Sequence, residues 1–180
     1  MIAWRPFTYQ GVTYSLDHLH PKEFTFTQPG KGALPALDYQ VRVAYGLHCF
    51  TRGSKPNDVA DPTLRYGDSR EDRIFDFDRY GWSQQLPEIV AALPRTKCFH
   101  TGHGNFFVVR QVDAATGLHV DYEVYFNAVR SSVDGNAIDL YIQSAYVRDK
   151  LHRGRPAAKP IGFFVILFNR QKNRLINAPP

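Results

Sequence analysis

The alternation of apolar and polar residues predicts a chain built mainly of β-strands. Residues 39–51 alternate over their whole length, which is typical of a strand with one buried face. That face carries a single apolar row: Val41, Val43, Tyr45, Leu47 and Cys49. Gly46 interrupts the segment and is a candidate for a β-bulge that would reset the alternation.

Further segments share this strand-like character: 24–28, 104–112, 119–130, 137–147 and 161–169. Several of the later segments are joined by short turns, so we expect a largely antiparallel sheet. Residues 161–169 are apolar on both faces, which favours a central strand that is covered on both sides.

One helix is predicted within residues 82–93. Its apolar positions recur at helical spacing: Trp82, Leu86, Ile89, Val90 and Leu93. Ser83 is the expected N-cap, which places Pro87 in the first turn, where a missing N–H is tolerated. Pro94 is expected to end the helix.

The predicted elements combine into an α+β fold. We expect a twisted, largely antiparallel sheet of about five strands with one main packed helix. The strand at 39–51 should join this sheet, because its apolar row needs cover and no second helix is evident. The whole chain is expected to be one domain with three parts: an irregular N-terminal extension (1–38), a core (39–169) and a short C-terminal tail (170–180).

Composition narrows the class of protein. The chain has 180 residues, of which 43% are hydrophobic and 14% aromatic, so we expect a globular protein with its own core. No stretch approaches the ~18 apolar residues of a membrane span, and the first residues do not resemble a secretory signal. We therefore expect a cytoplasmic protein with no membrane partner. Cys49 and Cys98 are expected to be buried free thiols.

Charge is distributed unevenly along the chain. Residues 148–174 carry eight basic side chains against Asp149 alone, whereas residues 58–78 are acidic. The basic segment predicts a surface for phosphate groups or an acidic partner. We assign nucleic-acid contact to five basic residues: Arg52, Lys150, Arg153, Arg155 and Lys159. The alternatives are a solvated loop, or cover of the basic segment by the acidic one. The long polar stretch 52–72 is a candidate functional or covering segment.

Candidate chemistry lies at the ends of predicted strands. On one face of the strand at 138–148, the apolar row continues directly into Ser144, Tyr146 and Arg148, a set suited to phosphate contact. His48 follows the strand at 39–51 and is a candidate general acid or base. Arg79 precedes the predicted helix, where an anion is favoured. The alternatives are an exposed strand end, an ordinary core or edge histidine and, for Arg79, a structural Arg–Asp network around the start of the helix.

A second cluster has the spacing of metal ligands. Cys98, His100 and His103 form a Cys-x-His-x-x-His pattern. The Cys-x-x-Cys pair of common zinc sites is absent from the sequence, so the metal site is kept only as an alternative. We expect no metal and no cofactor.

The order of a helix and four strands over residues 80–169, with the stretch SAYVRD at 144–149, resembles the RelE/barnase/EndoU/colicin-type ribonucleases, to which many bacterial toxins belong. The resemblance implies a small metal-independent ribonuclease in which the 2′-hydroxyl attacks the phosphate. The implied roles are a base or acid at His48 or His100, a proton donor at Tyr146, charge stabilisation by Arg79 and Arg148, and phosphate orientation by Ser144. RNA and a protein such as an antitoxin are the implied partners.

The same features fit a second class of function. A basic, aromatic-rich domain of this size is also typical of a non-catalytic module that binds nucleic acid or protein, or of a subunit in a larger assembly. A nuclease cleaves RNA, whereas a module binds it with similar salt dependence and leaves it intact.

Overall fold

Twelve strands and three helices make up the described part of the chain. The structure is a computed structural model, and it describes residues 2–54, 61–102, 105–113, 119–148 and 159–177. The strands are β1 (Phe7–Tyr9), β2 (Val12–Tyr14), β3 (Lys22–Gln28), β4 (Leu37–His48), β5 (Thr51–Arg52), β6 (Arg65–Gly67), β7 (Asp72–Phe75), β8 (Cys98–His100), β9 (Phe106–Asp113), β10 (His119–Arg130), β11 (Ile138–Val147) and β12 (Lys159–Ile161). The helices are α1 (Phe77–Ser83), α2 (Leu86–Ala92) and α3 (Phe163–Gln171).

The main sheet has seven strands in the order β12-β8-β9-β10-β11-β4-β3. Every neighbouring pair is antiparallel except β11 and β4, which run parallel with Ile138 opposite Val41. The α+β class is confirmed, and so is the place of the strand at 39–51 in the main sheet. The expected five strands become seven, and the sheet is mixed, because β4 pairs with a strand that is distant in the sequence.

The segment expected to be a central strand at 161–169 is instead largely the helix α3. Phe163, Ile166 and Leu167 are buried, whereas Val165 is 51% exposed. Burial therefore repeats every three to four residues, as in a helix, and not every second residue. An uninterrupted apolar run fits both structures, and only the short β12 at its start pairs with the sheet.

The helix expected over 82–93 is divided into α1 and α2. Asp76 is the N-cap of α1, since its side chain accepts a hydrogen bond from the backbone N–H of Arg79 at 2.9 Å. Ser83, the expected N-cap, is the last residue of α1 and donates to the carbonyl of Tyr80. Pro87 lies in the first turn of α2 as expected, and Pro94 lies in a short 3₁₀ turn that continues it.

The segment expected to be irregular, 1–38, contains three strands and contributes to the core. β1 and β2 form a hairpin, and β3 is an edge strand of the main sheet. Phe7 of β1 stacks on Phe75 of β7 with 4.0 Å between ring centroids. Trp4 packs edge-on against Phe50 in the same core.

The described residues of the polar stretch 52–72 contribute to a second, smaller sheet. β6 and β5 both pair with β7 in a separate three-stranded sheet. This small sheet places the turn at 68–71 beside the end of β4.

The two cysteines are free and buried, as expected. Burial raises the pKa of the Cys49 thiol to about 12, and it does the same for Cys98. Neither thiol is therefore a nucleophile near neutral pH. None of the described helices is long and apolar enough to cross a membrane.

Candidate active site

A bulge in β11 decides which side chains reach the open face of the main sheet. Tyr125 of β10 is opposite Ser144, but the next residue, Phe126, is opposite Ile142, so Gln143 is the extra residue. The buried row of β11 therefore continues at Ala145 and not at Ser144. The expected continuous row from the core into Ser144 is wrong for this reason.

The bulge leaves the polar residues of β11 together on the other side of the sheet. We call this side the outer face, because it is opposite the buried row of β11. Ser144 lies opposite Tyr125, and Tyr146 lies opposite Glu123. Arg148 follows them and reaches the same glutamate. Ser144, Tyr146 and Arg148 thus lie near one another on the face opposite to the core.

A second irregularity, in β4, brings His48 beside Ser144. Tyr45 is paired with Ile142 and His48 with Ser144, so β4 spans three steps where β11 spans two. Gly46 lies in the extra step, as the sequence indicated. A Cβ there would be 2.6 Å from the hydroxyl of Tyr141 and 2.8 Å from the carbonyl of Gln143. Only glycine fits this close approach.

Next to Ser144, His48 forms a hydrogen-bonded pair with Glu71. The distance from His48 Nε2 to Glu71 Oε1 is 2.6 Å, and each side chain is 42% exposed. When the glutamate is ionised it can only accept, so Nε2 carries the proton and Nδ1 is the basic nitrogen. Nδ1 has no hydrogen-bond partner among the described residues.

The turn that presents Glu71 is held by Asp68. One oxygen of Asp68 accepts from the backbone N–H of Arg70 at 2.8 Å and of Glu71 at 3.2 Å. The other accepts from the Arg70 guanidinium at 2.8 Å. These hydrogen bonds, with that from the Arg70 side chain foremost, lower the pKa of Asp68. The turn is therefore organised by local contacts and sets Glu71 against His48.

These residues enclose an open cleft of about 450 Å³ on the outer face, which we call the groove. Its lining comprises Leu47, His48, Asp68, Arg70, Glu71, Tyr141, Gln143 and Ser144. Arg70 is the one arginine of this lining, and its side chain is 67% exposed. The groove thus holds a base, a carboxylate that orients it, and a cation that can move.

The other expected catalytic cation, Arg79, holds the backbone in place. Its Nη1 donates to the carbonyl of His48 and to that of Thr51, both at 3.0 Å. Its guanidinium also lies 5.6 Å from the ring centroid of Tyr146. Arg79 therefore fixes the turn that follows β4 and acts on the groove as a positioning residue.

Arg148 belongs to a closed network beside the groove. Its Nε and Nη2 donate to the two oxygens of Glu123, at 2.6 Å and 2.9 Å. Glu123 is fully buried and also accepts from the hydroxyl of Tyr125 at 2.8 Å. The Tyr125 ring stacks on that of Tyr146 at 5.7 Å. The Glu123 carboxylate raises the pKa of Arg148, which therefore stays paired.

The five expected catalytic residues thus fall into two adjoining sets. His48 and Ser144 line the groove, whereas Arg79, Tyr146 and Arg148 support the strands beside it. Sequence reasoning missed Glu71 and Arg70. The turn-forming stretch GDSRE at 67–71 was a signal for an ordered turn, but nothing local related it to His48.

Little of the expected nucleic-acid surface falls within the described residues. Lys150, Arg153 and Arg155 lie outside them. Arg52 Nη1 donates to the carbonyl of Gly53 at 3.3 Å. Lys159 is exposed on the edge strand β12.

Of the alternative metal ligands Cys98, His100 and His103, only the first two lie within the described residues. His100 accepts from the backbone N–H of Gly102 at Nδ1, 2.8 Å away, and contacts the carbonyl of Ile176 through Nε2 at 3.1 Å. Both ring nitrogens are therefore occupied. His103 lies outside the described residues. In the described ranges, no three His, Cys, Asp or Glu side chains are grouped so that they could hold a metal ion.

Comparison with known proteins places the chain in a family. The YjaZ family model matches residues 6–171. "Protein YjaZ" of Escherichia coli (strain K12) is 30% identical over 179 residues, which cover 98% of this chain and 95% of that protein. No solved structure matches the chain. Because both matches extend over nearly the whole sequence, the chain belongs to the YjaZ family.

Proposed function

We propose that the groove is an acid–base catalytic site and that its substrate is RNA, cleaved without a metal ion. The observation that carries the proposal is the pairing of His48 with Glu71 at 2.6 Å while both side chains remain 42% exposed. A carboxylate that holds one imidazole nitrogen leaves the other nitrogen ready to take a proton from a substrate.

The reaction follows from the positions of these groups. His48 Nδ1 takes the proton of the ribose 2′-hydroxyl, and Glu71 stabilises the imidazolium that forms. The 2′-oxygen forms a bond to phosphorus, and the bond from phosphorus to the 5′-oxygen breaks. The leaving oxygen takes its proton from solvent, which reaches the groove freely. The products are a 2′,3′-cyclic phosphate and a 5′-hydroxyl.

Two groove residues suit the negative charge that develops on phosphorus. Arg70 carries five N–H donors and is mostly exposed, so it can turn from Asp68 towards a phosphate. Burial raises the pKa of Tyr141, so its hydroxyl remains protonated and can donate a hydrogen bond. The formal net charge of +5 favours approach of a polyanion to the protein as a whole.

The local charge of the groove favours a second candidate. The described lining contains the two carboxylates of Asp68 and Glu71, which form ion pairs with Arg70 and with Arg73 just outside it. Carboxylates in an open cleft can also pair with the basic side chains of another protein. In that case the protein is a non-catalytic binding module, and His48 and Glu71 bind the partner.

Cleavage of a labelled RNA pool in EDTA distinguishes the two candidates. We expect wild type to cleave, and His48→Ala to lose a factor of about 10² to 10⁴ in rate. Glu71→Gln should also lower the rate. Glu23→Gln is the matched control, since Glu23 is exposed on the edge strand β3. Intact RNA with wild type overturns the ribonuclease, and saturable binding of a lysine-rich peptide then supports the module.

A further inference from the structure

The groove continues into a second compartment on the outer face. This compartment has a volume of about 300 Å³ and shares Arg70 and Tyr141 with the groove. Its remaining lining comes from the N-terminal segment, β4 and β11: Ile2, Trp4, Ala44, Tyr45, Asp139 and Leu140. A ligand that spans both spaces would therefore contact Arg70 and Tyr141.

The lining of this compartment combines apolar and aromatic residues with the charged side chains of Arg70 and Asp139. Trp4 is held in place because its indole Nε1 donates to the carbonyl of Tyr45 at 2.8 Å. Ala44 is buried and contributes only a methyl group. Ile2 is 41% exposed. Trp4 is only 4% exposed, whereas Tyr141 is 39% exposed, so Tyr141 is the ring of this lining that can stack on a flat, uncharged ring system.

The carboxylate of Asp139, in this lining, has one oxygen that can still accept a hydrogen bond. Asp139 Oδ1 accepts a hydrogen bond from Arg42 Nε at 2.9 Å and forms an ion pair with Arg42 Nη2 at 2.7 Å. The other oxygen, Oδ2, has no hydrogen-bond partner among the described residues. A carboxylate oxygen is an acceptor only, so it recognises an N–H of a ligand and disfavours a carbonyl in the same place.

We propose that this compartment is a nucleobase subsite, selective for a base that carries an exocyclic amino group. The inference rests on the proposed function, since it assigns the part of the RNA adjoining the reacting phosphate. The base stacks on the exposed ring of Tyr141, with Trp4 at the wall of the compartment, and its amino group donates to Asp139 Oδ2. Arg70, at the boundary, then lies beside the phosphate that joins this nucleotide to the next.

Nucleoside binding tests the subsite without any cleavage. Trp82→Phe leaves Trp4 as the one tryptophan, because the sequence has two. Titration of this protein with adenosine, cytidine or uridine, followed by Trp4 fluorescence, reports occupation of the compartment. We expect adenosine and cytidine to bind about tenfold more tightly than uridine. No response to any nucleoside, or equal responses to cytidine and uridine, overturns the proposal.

Two variants locate the response. Ala44→Leu fills the compartment and should abolish the fluorescence change. Asp139→Asn keeps the shape but offers an amide that also donates, so the preference for cytidine over uridine should disappear. Asp38→Asn is the matched control, since Asp38 lies elsewhere on β4 and accepts from Thr27. A response that survives Ala44→Leu contradicts the proposal.

Failure of the subsite and failure of the ribonuclease give different results. Selective nucleoside binding with intact RNA rejects catalysis and keeps the subsite. Cleavage of RNA by wild type, with no nucleoside response, rejects the subsite and keeps the catalytic groove.

Discussion

The outer face carries two neighbouring pairs of a glutamate and a basic side chain, and they differ in access to water. Glu71 and His48 are each 42% exposed. Glu123 is fully buried, and the side chain of its partner Arg148 is 17% exposed. Both pairs are short, at 2.6 Å between the closest atoms.

This difference in exposure supports the proposal that the open pair reacts with a ligand and that the closed pair stabilises the fold. In the open pair one imidazole nitrogen has no described partner, so the pair can exchange a proton with a ligand. In the closed pair both carboxylate oxygens bind the guanidinium, and Tyr125 adds a further hydrogen bond. Residue type indicated catalysis at both His48 and Arg148. The exposed fraction of each side chain is what distinguishes the two in the structure.

The closed pair should give the largest effect on stability. Arg148→Ala leaves the buried Glu123 carboxylate without its guanidinium, which should lower the free energy of unfolding by about 3–5 kcal/mol. Urea denaturation monitored by circular dichroism measures the loss. The double variant Glu123→Leu/Arg148→Met removes both charges and should recover much of it. Unchanged stability in Arg148→Ala would mean that the closed pair is not a support.

The open groove depends on a glycine, and its replacement should have the next largest effect. Gly46→Ala brings a methyl group against backbone as well as the Tyr141 hydroxyl, so we expect a loss of about 2 kcal/mol. Cleavage should fall as well, because His48 moves relative to Ser144. Gly81→Ala is the control, since a Cβ there meets nothing within 4 Å. Equal stability of the two variants would contradict the close approach.

A third histidine shows what burial does to an imidazole. His18 contacts Ser83 Oγ at 2.8 Å, and burial lowers the pKa of His18 to about 4 from 6.5. The unfolded chain therefore binds a proton at His18 more readily than the folded chain does. The contribution of neutral His18 to the free energy of unfolding is fully present above about pH 6.5 and is lost as the pH falls towards 4.

We expect His18 to account for about 1 kcal/mol of lost stability between about pH 7.5 and pH 5, after allowance for solvent screening. Denaturation of wild type and His18→Gln at both values measures it as a difference. If the two proteins lose the same stability, His18 titrates as it does in water.

The open pair should have the smallest effect on stability. An exposed ion pair contributes little, so Glu71→Gln should change the free energy of unfolding by less than about 1 kcal/mol. The same variant should lower the rate of RNA cleavage. A loss of activity with little loss of stability is what we expect of a pair that acts in function and not in folding. A large destabilisation would assign Glu71 a structural role like that of Glu123.

The local sequence predicted where the strands near the site lie better than it predicted how these strands pair with one another. The alternation in β4, the bulge at Gly46 and the apolar row of β11 up to Ile142 were all visible in the pattern. The bulge at Gln143 was not, since nothing in IQSAY distinguishes it from regular alternation. The contact of Glu71 with His48 and the parallel pairing of β4 are long-range, so no local pattern encodes them. An apolar run such as FFVILF fits a helix and a buried strand equally.

The parallel pairing of β4 with β11 also sets the order in which the groove can form. Their register partners Arg42 and Asp139 are 97 residues apart in the chain. Contacts over such a separation form more slowly than hairpins, because a long loop must close first. During synthesis β4 can pair with β3, which precedes it in the sequence. The other edge of β4 stays unpaired until β11 has been synthesised. Formation of the groove therefore requires the β4–β11 pair to be complete, whereas formation of the hairpins does not.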